Sequence, residues 1–195
     1  MDGYERRKQR KMERILDTSF EMFAKHGFQK IAVGEIAEKA KVSPTTIYNY
    51  FGTKEQLYAA ALTHWMDKQL RRYEEILNSG LTFPEKTREI MLLEAENLRI
   101  LADGFLERSG LTELMEGGSG QKVEHFFRKY VALGKQEGYI HSDQTEEMSM
   151  RYFGMFKNEL SRYWMSSQQE RVTGEIDLLL ELFFYGLSGR RYMEQ

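Results

Sequence analysis

The chain has 195 residues, of which 41% are hydrophobic, and this is enough for one medium domain or for a small domain joined to a larger one. Cysteine is absent, which excludes disulfides and thiolate zinc sites and fits a reducing compartment. The sequence has neither a secretory signal nor an apolar run of roughly 18 residues, so it predicts a cytoplasmic protein with no membrane partner.

The net charge of −2 conceals an uneven distribution along the chain. Residues 1–66 carry 11 Lys and Arg against 8 Asp and Glu, whereas residues 67–195 carry 17 against 22. Basic residues are concentrated near the start, at Arg6, Arg7, Lys8, Arg10, Lys11 and Arg14. This pattern favours a polyanionic partner at that end, and the alternative is a solvated surface with random charge variation.

Hydrophobic periodicity predicts helices throughout the chain and no strand. About nine helices are expected, at residues 4–26, 33–40, 44–51, 54–78, 84–106, 111–115, 123–138, 144–166 and 170–187. Gly27 is a typical stop for the first helix, and Asp143 is the expected N-cap of the eighth. Thr53 and Gln56 have the spacing of a capping box at the start of the fourth helix. The predicted fold class is therefore all-α.

The second predicted helix is short and ends at a tight turn. Its apolar residues recur at i, i+3, i+4 and i+7 and so line one face: Val33, Ile36, Ala37 and Ala40. The break at Lys41 and Val42 is too short for a free loop. Ser43 is a good N-cap for the next helix, and Pro44 suits the first helical position because its missing N–H costs nothing there.

The third predicted helix has an inner apolar face and an outer polar face. Ile47 and Phe51 lie four residues apart and are expected to face inward. The outer face carries Thr45, Thr46, Tyr48, Asn49 and Tyr50. Two short helices with this character are typical of a helix-turn-helix, whose second helix enters the DNA major groove. Asn49 is the best candidate to read adenine, because its amide both donates and accepts at the base edge.

The second half of the chain is rich in methionine and aromatic residues. In a helical bundle such residues form a core or line a mostly apolar pocket between helices, and both interpretations stay open. The candidate ligand-binding residues are Arg99, Phe105, Phe126, Phe127, Tyr130, Tyr152 and Phe156.

The last predicted helix is apolar on more than one side. One stripe contains Ile176, Leu179, Leu180, Phe183, Phe184 and Leu187, and a second contains Leu178, Leu182 and Tyr185. In a domain of this size the second apolar side is most simply buried by another subunit, which predicts a homodimer. The candidate interface residues are Met155, Tyr163, Ile176, Leu179, Leu180, Phe183, Phe184 and Leu187.

Enzyme classes find little support in the sequence. No histidine has a glutamate three residues before it, as a bundle with two metal ions requires. A phosphate-binding glycine loop, a nucleophile elbow and the HExxH motif are also missing. We therefore predict neither catalytic residues nor a metal nor a cofactor.

The segments ILDTSFEMFAKHGF and VGEIAEKAKVSPTTIYNYFGTKEQLY, in this order, resemble the tetracycline-repressor (TetR) family of bacterial regulators. The resemblance implies a symmetric dimer whose heads read a palindromic operator in double-stranded DNA and whose bodies bind a small effector. It places DNA contacts at Ser43, Pro44, Thr45, Thr46, Tyr48, Asn49 and Tyr50. Lys54 matches the family's phosphate-clamping lysine at a helix N-terminus, where anions are already favoured. Arg6 and Arg10 of the basic cluster would add phosphate contacts, which position the protein without specifying sequence.

The chain departs from the family pattern at two places. Lys41 stands in the turn where the family usually has glycine, which puts the expected positive φ in doubt. Ile31 and Ala32 stand where a Thr-Thr pair is usual, so the hydroxyl cap is missing, at a cost of about 1 kcal/mol.

Together these observations predict a ligand-responsive transcriptional regulator. Repression, rather than activation, is implied by the resemblance. Residues 1–53 would form the DNA-binding domain and residues 54–195 the ligand-binding and dimerisation domain. The effector would be small and apolar or amphipathic. The alternative is a dimeric helical adaptor that does not bind DNA.

Overall fold

The computed structural model describes residues 3–105, 118–166 and 172–188. Every regular element in these ranges is a helix, so the predicted all-α fold is confirmed. The eight helices are α1 (Gly3–His26), α2 (Val33–Lys39), α3 (Pro44–Phe51), α4 (Lys54–Leu77), α5 (Phe83–Phe105), α6 (Gly118–Gln136), α7 (Glu146–Ser166) and α8 (Val172–Ser188). None of these described helices combines the length and the apolar character needed to cross a membrane. The short helix predicted at residues 111–115 lies outside the described residues.

Local hydrogen bonds explain where several helices begin and end. α1 ends as predicted at Gly27, whose φ is 81° and whose N–H donates to the carbonyl oxygen of Phe23 at 2.8 Å. The N-cap predicted at Asp143 is wrong. The hydroxyl of Thr145, directly before α7, accepts a hydrogen bond from the N–H of Met148 at 3.1 Å.

The chain divides into two compact units, and the boundary lies within α4. The first unit comprises residues 1–69 and 103–119, and the second comprises residues 70–102 and 120–195. The functional division into residues 1–53 and 54–195 stays a prediction.

In the first unit, α1–α3 and the first part of α4 surround an aromatic core. The rings of Phe20 and Trp65 stack with 4.7 Å between centroids, and the ring of Tyr58 meets that of Phe23 edge-on at 5.3 Å. Ile47 of α3 is 1% exposed and completes this core. Since α3 is held by its inner face, its outer face is left for a partner.

In the second unit, α5 and α6 pack closely against each other. The hydroxyl oxygens of Thr87 and Tyr130 lie 2.8 Å apart, and the rings of Phe83 and Tyr130 lie 4.9 Å apart. Gly134 permits this approach, because a Cβ at this position would lie 2.6 Å from the Phe83 ring and 2.7 Å from Ile140. These contacts form one wall of the interior in which the aromatic residues of α6, α7 and α8 meet.

Candidate functional site

The outer face of α3 carries the side chains that the sequence predicts to contact DNA. Tyr48 is 49% exposed, and Asn49 beside it is also exposed. The remaining predicted contacts on α3 and its cap are exposed at Ser43, Pro44 and Thr45 and half-buried at Thr46 and Tyr50. This face presents hydroxyl and amide groups, which hydrogen-bond to base edges and phosphates in protein–DNA contacts, together with aromatic rings.

Ser43 fixes the start of α3, as predicted. Its side-chain oxygen accepts a hydrogen bond from the N–H of Thr46 at 3.2 Å, and the two side-chain hydroxyl oxygens lie 2.9 Å apart. Pro44 occupies the first position of the helix. The cap holds the N-terminal residues of α3, the end that contacts bases in helix-turn-helix proteins, in one conformation.

The turn between α2 and α3 contains a left-handed residue that is not glycine. Lys41 has a φ of 54°. The N–H of Lys41 donates to the carbonyl oxygen of Glu38 at 3.1 Å, and the N–H of Val42 donates to that of Ala37 at 2.9 Å. These two bonds form a Schellman motif, which requires the left-handed conformation at the position of Lys41. The turn therefore keeps the positive φ, and a residue with a Cβ is disfavoured there by about 1 kcal/mol.

The start of α2 lacks a hydroxyl cap, as the sequence predicts. Ala32 is the N-cap residue, and its side chain makes no capping hydrogen bond. Glu35 contributes the other half of a capping box, because its carboxylate accepts a hydrogen bond from the N–H of Ala32 at 2.7 Å. This position consequently offers a phosphate no side-chain hydroxyl.

Lys54 lies at the N-terminus of α4. The predicted capping box is present, since the N–H of Gln56 donates to the hydroxyl of Thr53 at 3.1 Å and the N–H of Thr53 donates to the Gln56 side chain at 3.0 Å. The Lys54 ammonium lies 4.3 Å from the centre of the Phe28 ring. A lysine in the first turn opposes the helix dipole, so an anion bound here would relieve an unfavourable interaction.

The basic cluster of α1 is solvent-exposed. Arg6 and Arg10 are exposed, as are Lys8 and Arg14 on the same helix. Exposed cations on the unit that also carries α3 add to its attraction for a polyanion.

A cavity of about 80 Å³ lies inside the second unit. It is lined almost entirely by apolar and aromatic side chains: Leu70, Tyr73, Ile90, Glu94, Val123, Phe126, Phe127, Tyr130, Phe153, Phe156, Leu180, Phe183 and Phe184. Its apolar and aromatic lining with few polar groups matches that of small-molecule sites between the helices of a bundle, whereas its volume lies below the roughly 300–1,000 Å³ of such sites.

Four of the predicted ligand-binding residues line this cavity, namely Phe126, Phe127, Tyr130 and Phe156. Arg99 is half-buried on α5 and is not among the lining residues. The Tyr152 hydroxyl instead donates to the backbone oxygens of Leu182 and Phe183, at 3.2 and 2.9 Å. Partial burial raises the pKa of Tyr152 above its usual value. The side chain of Phe105 lies outside the described residues.

The polar groups in the cavity wall were not predicted from the sequence. Tyr73 donates a short hydrogen bond to the carboxylate of Glu94, and the side-chain amide of Asn97 donates to the Tyr73 hydroxyl at 2.7 Å. A signal was present, because Ile90, Glu94, Asn97 and Leu101 follow the spacing i, i+4, i+7, i+11 of one helix face. Glu94 is half-buried by accessible surface, and an acid on an otherwise buried stripe is unusual.

Burial changes the acidity of both titratable members of this group. It raises the pKa of Glu94 above the ordinary value of a glutamate, and the hydrogen bond from Tyr73 opposes that shift. Burial, followed by the nearby Glu94 carboxylate, raises the pKa of Tyr73 well above that of a free tyrosine. The Tyr73 hydroxyl therefore stays protonated and remains a donor.

The residues of α8 divide between the cavity and the outer surface. Leu180, Phe183 and Phe184 are buried within the protomer and line the cavity, and their assignment to a dimer interface stays a prediction. The exposed apolar side chains of α7 and α8 include Met155, Leu178 and Leu182, at 70%, 56% and 61% exposure. Leu179 is half-buried, and the side chains of Tyr163, Ile176 and Leu187 lie outside the described residues.

A family model described as "Bacterial regulatory proteins, tetR family" matches residues 15–61, from the middle of α1 to the first turns of α4. This chain belongs to the tetR family. The match covers α2, the Lys41 turn, α3 and Lys54. The family assignment therefore confirms the resemblance stated from the sequence.

Relatives of this tetR-family chain extend over most of its length. The fatty acid metabolism regulator protein of Bacillus subtilis is 26% identical over 95% of the chain and 100% of its own length. A transcriptional regulator from Cytophaga hutchinsonii shares the fold with a TM-score of 0.72 at 16% identity, covering 92% of this chain and 95% of that one. The transcriptional regulator FadR from Bacillus subtilis, solved in complex with stearoyl-CoA, gives a TM-score of 0.54 at 22% identity over 89% and 98% of the two chains. These solved structures establish the fold of the second unit as well as the first.

Proposed function

We propose that the protein is a homodimeric transcriptional repressor that binds a palindromic DNA operator and releases it when a small amphipathic effector enters the cavity of the second unit. The observation that carries the proposal is the outer face of α3, held on the core by Ile47 and capped by Ser43. The protein acts by binding rather than by catalysing a reaction, as a regulator of this family does.

In this proposal α3 lies in the major groove. Tyr48 and Asn49 contact base edges, while Thr45, Thr46 and Tyr50 contact bases or phosphates at the margins of the groove. Lys54 contacts a phosphate beside the N-terminus of α4, and Arg6 and Arg10 add further phosphate contacts. The basic character of residues 1–66 supports this arrangement.

A homodimer presents two copies of α3 to two half-sites of a palindrome. Exposed apolar side chains on α7 and α8, including Met155, Leu178 and Leu182, support an interface on these helices. Large apolar groups exposed near one another on a protomer are typical of a surface that another subunit covers.

The effector is proposed to bind between α4, α5, α6, α7 and α8 of the second unit, where the aromatic walls suit an apolar body. The complex of FadR with stearoyl-CoA supports an amphipathic ligand for this fold. Binding of a ligand shifts the protein toward whichever conformation has the higher affinity for that ligand, so release of the operator requires the cavity to be better formed in the released state.

The proposal is tested by measuring retardation of the DNA upstream of the protein's own gene at physiological salt. Wild-type protein should retard this fragment, and Tyr48→Ala should weaken binding by roughly tenfold to a hundredfold, since one specific base contact contributes about 1–3 kcal/mol. Leu92→Ala is the matched control, because Leu92 is also exposed but lies on α5. Absence of retardation by the folded wild-type protein at any salt concentration would favour the adaptor alternative.

A further inference from the structure

The cavity of the second unit holds one carboxylate in an aromatic interior. Three of its lining residues carry polar side-chain groups, Tyr73, Glu94 and Tyr130. The Tyr130 hydroxyl is already paired with Thr87 at 2.8 Å. Tyr73 and Glu94 belong to a separate hydrogen-bonded group in which Glu94 is the final acceptor.

Asn97, Tyr73 and Glu94 form a series of hydrogen bonds in which the Glu94 carboxylate only accepts. The amide of Asn97 donates to the Tyr73 hydroxyl, and the Tyr73 hydroxyl donates to Oε2 of Glu94. A hydroxyl that accepts one hydrogen bond becomes a stronger donor for the next, so the chain of donors favours negative charge on Glu94. A carboxylate accepts about four hydrogen bonds, and the Tyr73 hydroxyl supplies one of them. Glu94 lines the cavity, so its carboxylate can accept further hydrogen bonds from a ligand there.

Glu94 also lacks a counter-charge within the described part of the chain. No basic side chain in these ranges lies within ion-pair distance of it, whereas Glu74 in the same unit is paired with Lys129 at 2.9 Å. Burial raises the pKa of Glu94, which means that the folded protein holds the ionised form at a cost. A cation entering the cavity would supply the missing charge and a hydrogen-bond donor together.

The walls around Glu94 suit a cation as well. Phe126, Phe156 and Phe183 line the same cavity as Glu94. Aromatic faces attract a desolvated cation, and their edges pack against an apolar body.

We propose that the effector of this regulator is an amphipathic amine whose protonated nitrogen binds the carboxylate of Glu94, while its apolar body lies against the aromatic walls. This proposal rests on the proposed function, in which the cavity is the effector site. A plain acyl chain has no donor to offer and leaves Glu94 desolvated and unpaired. A carboxylate at the buried end of the ligand is repelled.

Three small probes share one apolar body and differ only in the head group: phenylbutylamine, phenylbutanol and phenylbutyrate. Isothermal titration of the wild-type protein should show the amine binding about tenfold or more tightly than the alcohol, because a hydrogen bond to a charged group is stronger than one to a neutral group. Phenylbutyrate should bind most weakly. Equal or tighter binding of the alcohol or of phenylbutyrate would overturn the proposal without any variant.

Two variants test whether Glu94 is the residue that causes the preference for the amine over the alcohol. In Glu94→Gln, which keeps the size and shape of the side chain, the advantage of the amine over the alcohol should disappear. Glu96→Gln is the matched control, because Glu96 is exposed on the same helix, and it should retain the full advantage. An amine advantage that survives in folded Glu94→Gln, as judged by circular dichroism, would overturn the assignment of Glu94.

Operator release separates this proposal from the proposed function. Phenylbutylamine releasing the retarded DNA, with phenylbutyrate inactive, would support both. Release by stearoyl-CoA but not by the amine would overturn the amine proposal and leave the ligand-responsive repressor standing. Failure to retard the operator would overturn the proposed function, while the titrations would still decide what the cavity selects.

Discussion

The two compact units use aromatic residues in opposite ways. In the first unit, Phe20, Phe23, Tyr58 and Trp65 fill the core, and the side chains proposed to bind DNA lie on the outside of α3. In the second unit the aromatic rings surround a cavity, so the side chains proposed to bind the effector are also the side chains that hold the helices together. Stability and binding are therefore assigned to different residues in the first unit and to the same residues in the second.

The largest expected effect follows from a pair of neighbours on α8. Phe183 is 4% exposed and packs on Tyr152, Phe156 and Phe184, so Phe183→Asp should lower the free energy of unfolding by about 3–5 kcal/mol or more. Leu182→Asp is the control, since Leu182 is 61% exposed and should leave the protomer folded. Chemical denaturation measures both. Similar losses in the two variants would show that α8 is not oriented as described.

The same control tests the dimer interface. If the exposed apolar face of α7 and α8 is covered by a second subunit, Leu182→Asp should yield monomer in analytical ultracentrifugation, because a charge would be buried at the interface. A dimer of Leu182→Asp that is as tight as the wild type would place the interface elsewhere.

In the first unit a functional substitution should leave stability nearly unchanged. Lys54→Ala removes one proposed phosphate contact, so the slope of log affinity against log salt should fall by about 1 in magnitude. Lys129→Ala, in the second unit, should leave the slope as it is, because Lys129 pairs with Glu74. A salt titration of operator binding is the measurement, and an unaltered slope in Lys54→Ala would remove that residue from the phosphate contacts.

Glu94 differs from the other residues proposed to bind the effector, because the folded protein holds its ionised form at a cost. Its pKa is raised in the folded state, so its contribution to stability is fully present below its unfolded pKa, near 4.5, and is lost as the pH rises through the folded value. Glutamine does not titrate. The thermal stability of Glu94→Gln relative to wild type should therefore increase as the pH rises above that range, while Glu96→Gln should show no such trend. A Glu94→Gln difference that is constant with pH would contradict the raised pKa.

The smallest effect concerns the turn before α3. Glycine adopts a positive φ at no steric cost, so Lys41→Gly should stabilise the protein by up to about 1 kcal/mol, offset in part by the greater freedom of glycine in the unfolded chain. Lys39→Gly is the contrasting variant, because Lys39 is the last residue of α2, and glycine there should destabilise. Differential scanning calorimetry distinguishes the two signs.

Helix caps and turns were the features that the sequence predicted best. Caps and turns depend on residues only a few positions apart, so Ser43, Thr53 with Gln56, and Gly27 were all predicted correctly. The one misplaced cap, Asp143, lies two residues before another good capping residue, Thr145, and periodicity alone does not separate them.

The second unit was harder to predict because its details depend on long-range packing. α8 is apolar on two sides, and only the folded protomer shows that Phe183 and Phe184 face the cavity while Leu178 and Leu182 face outward. The pairing of Tyr73 with Glu94 joins residues 21 positions apart on different helices, so no local pattern reveals it. Four residues that the sequence predicts to bind a ligand line the cavity, and three of them, Phe126, Phe127 and Tyr130, recur at helical spacing on α6. Their role in binding stays a prediction.

The Lys41 turn has a consequence for how such regulators diverge. Its shape is held by backbone hydrogen bonds to Glu38 and Ala37, which any residue other than proline can make. Glycine is thus the least costly choice at this position but not an obligatory one, so a side chain can stand on the surface next to the helix proposed to read DNA. A search pattern that demanded glycine there would overlook chains of this kind, although their backbone follows the same path.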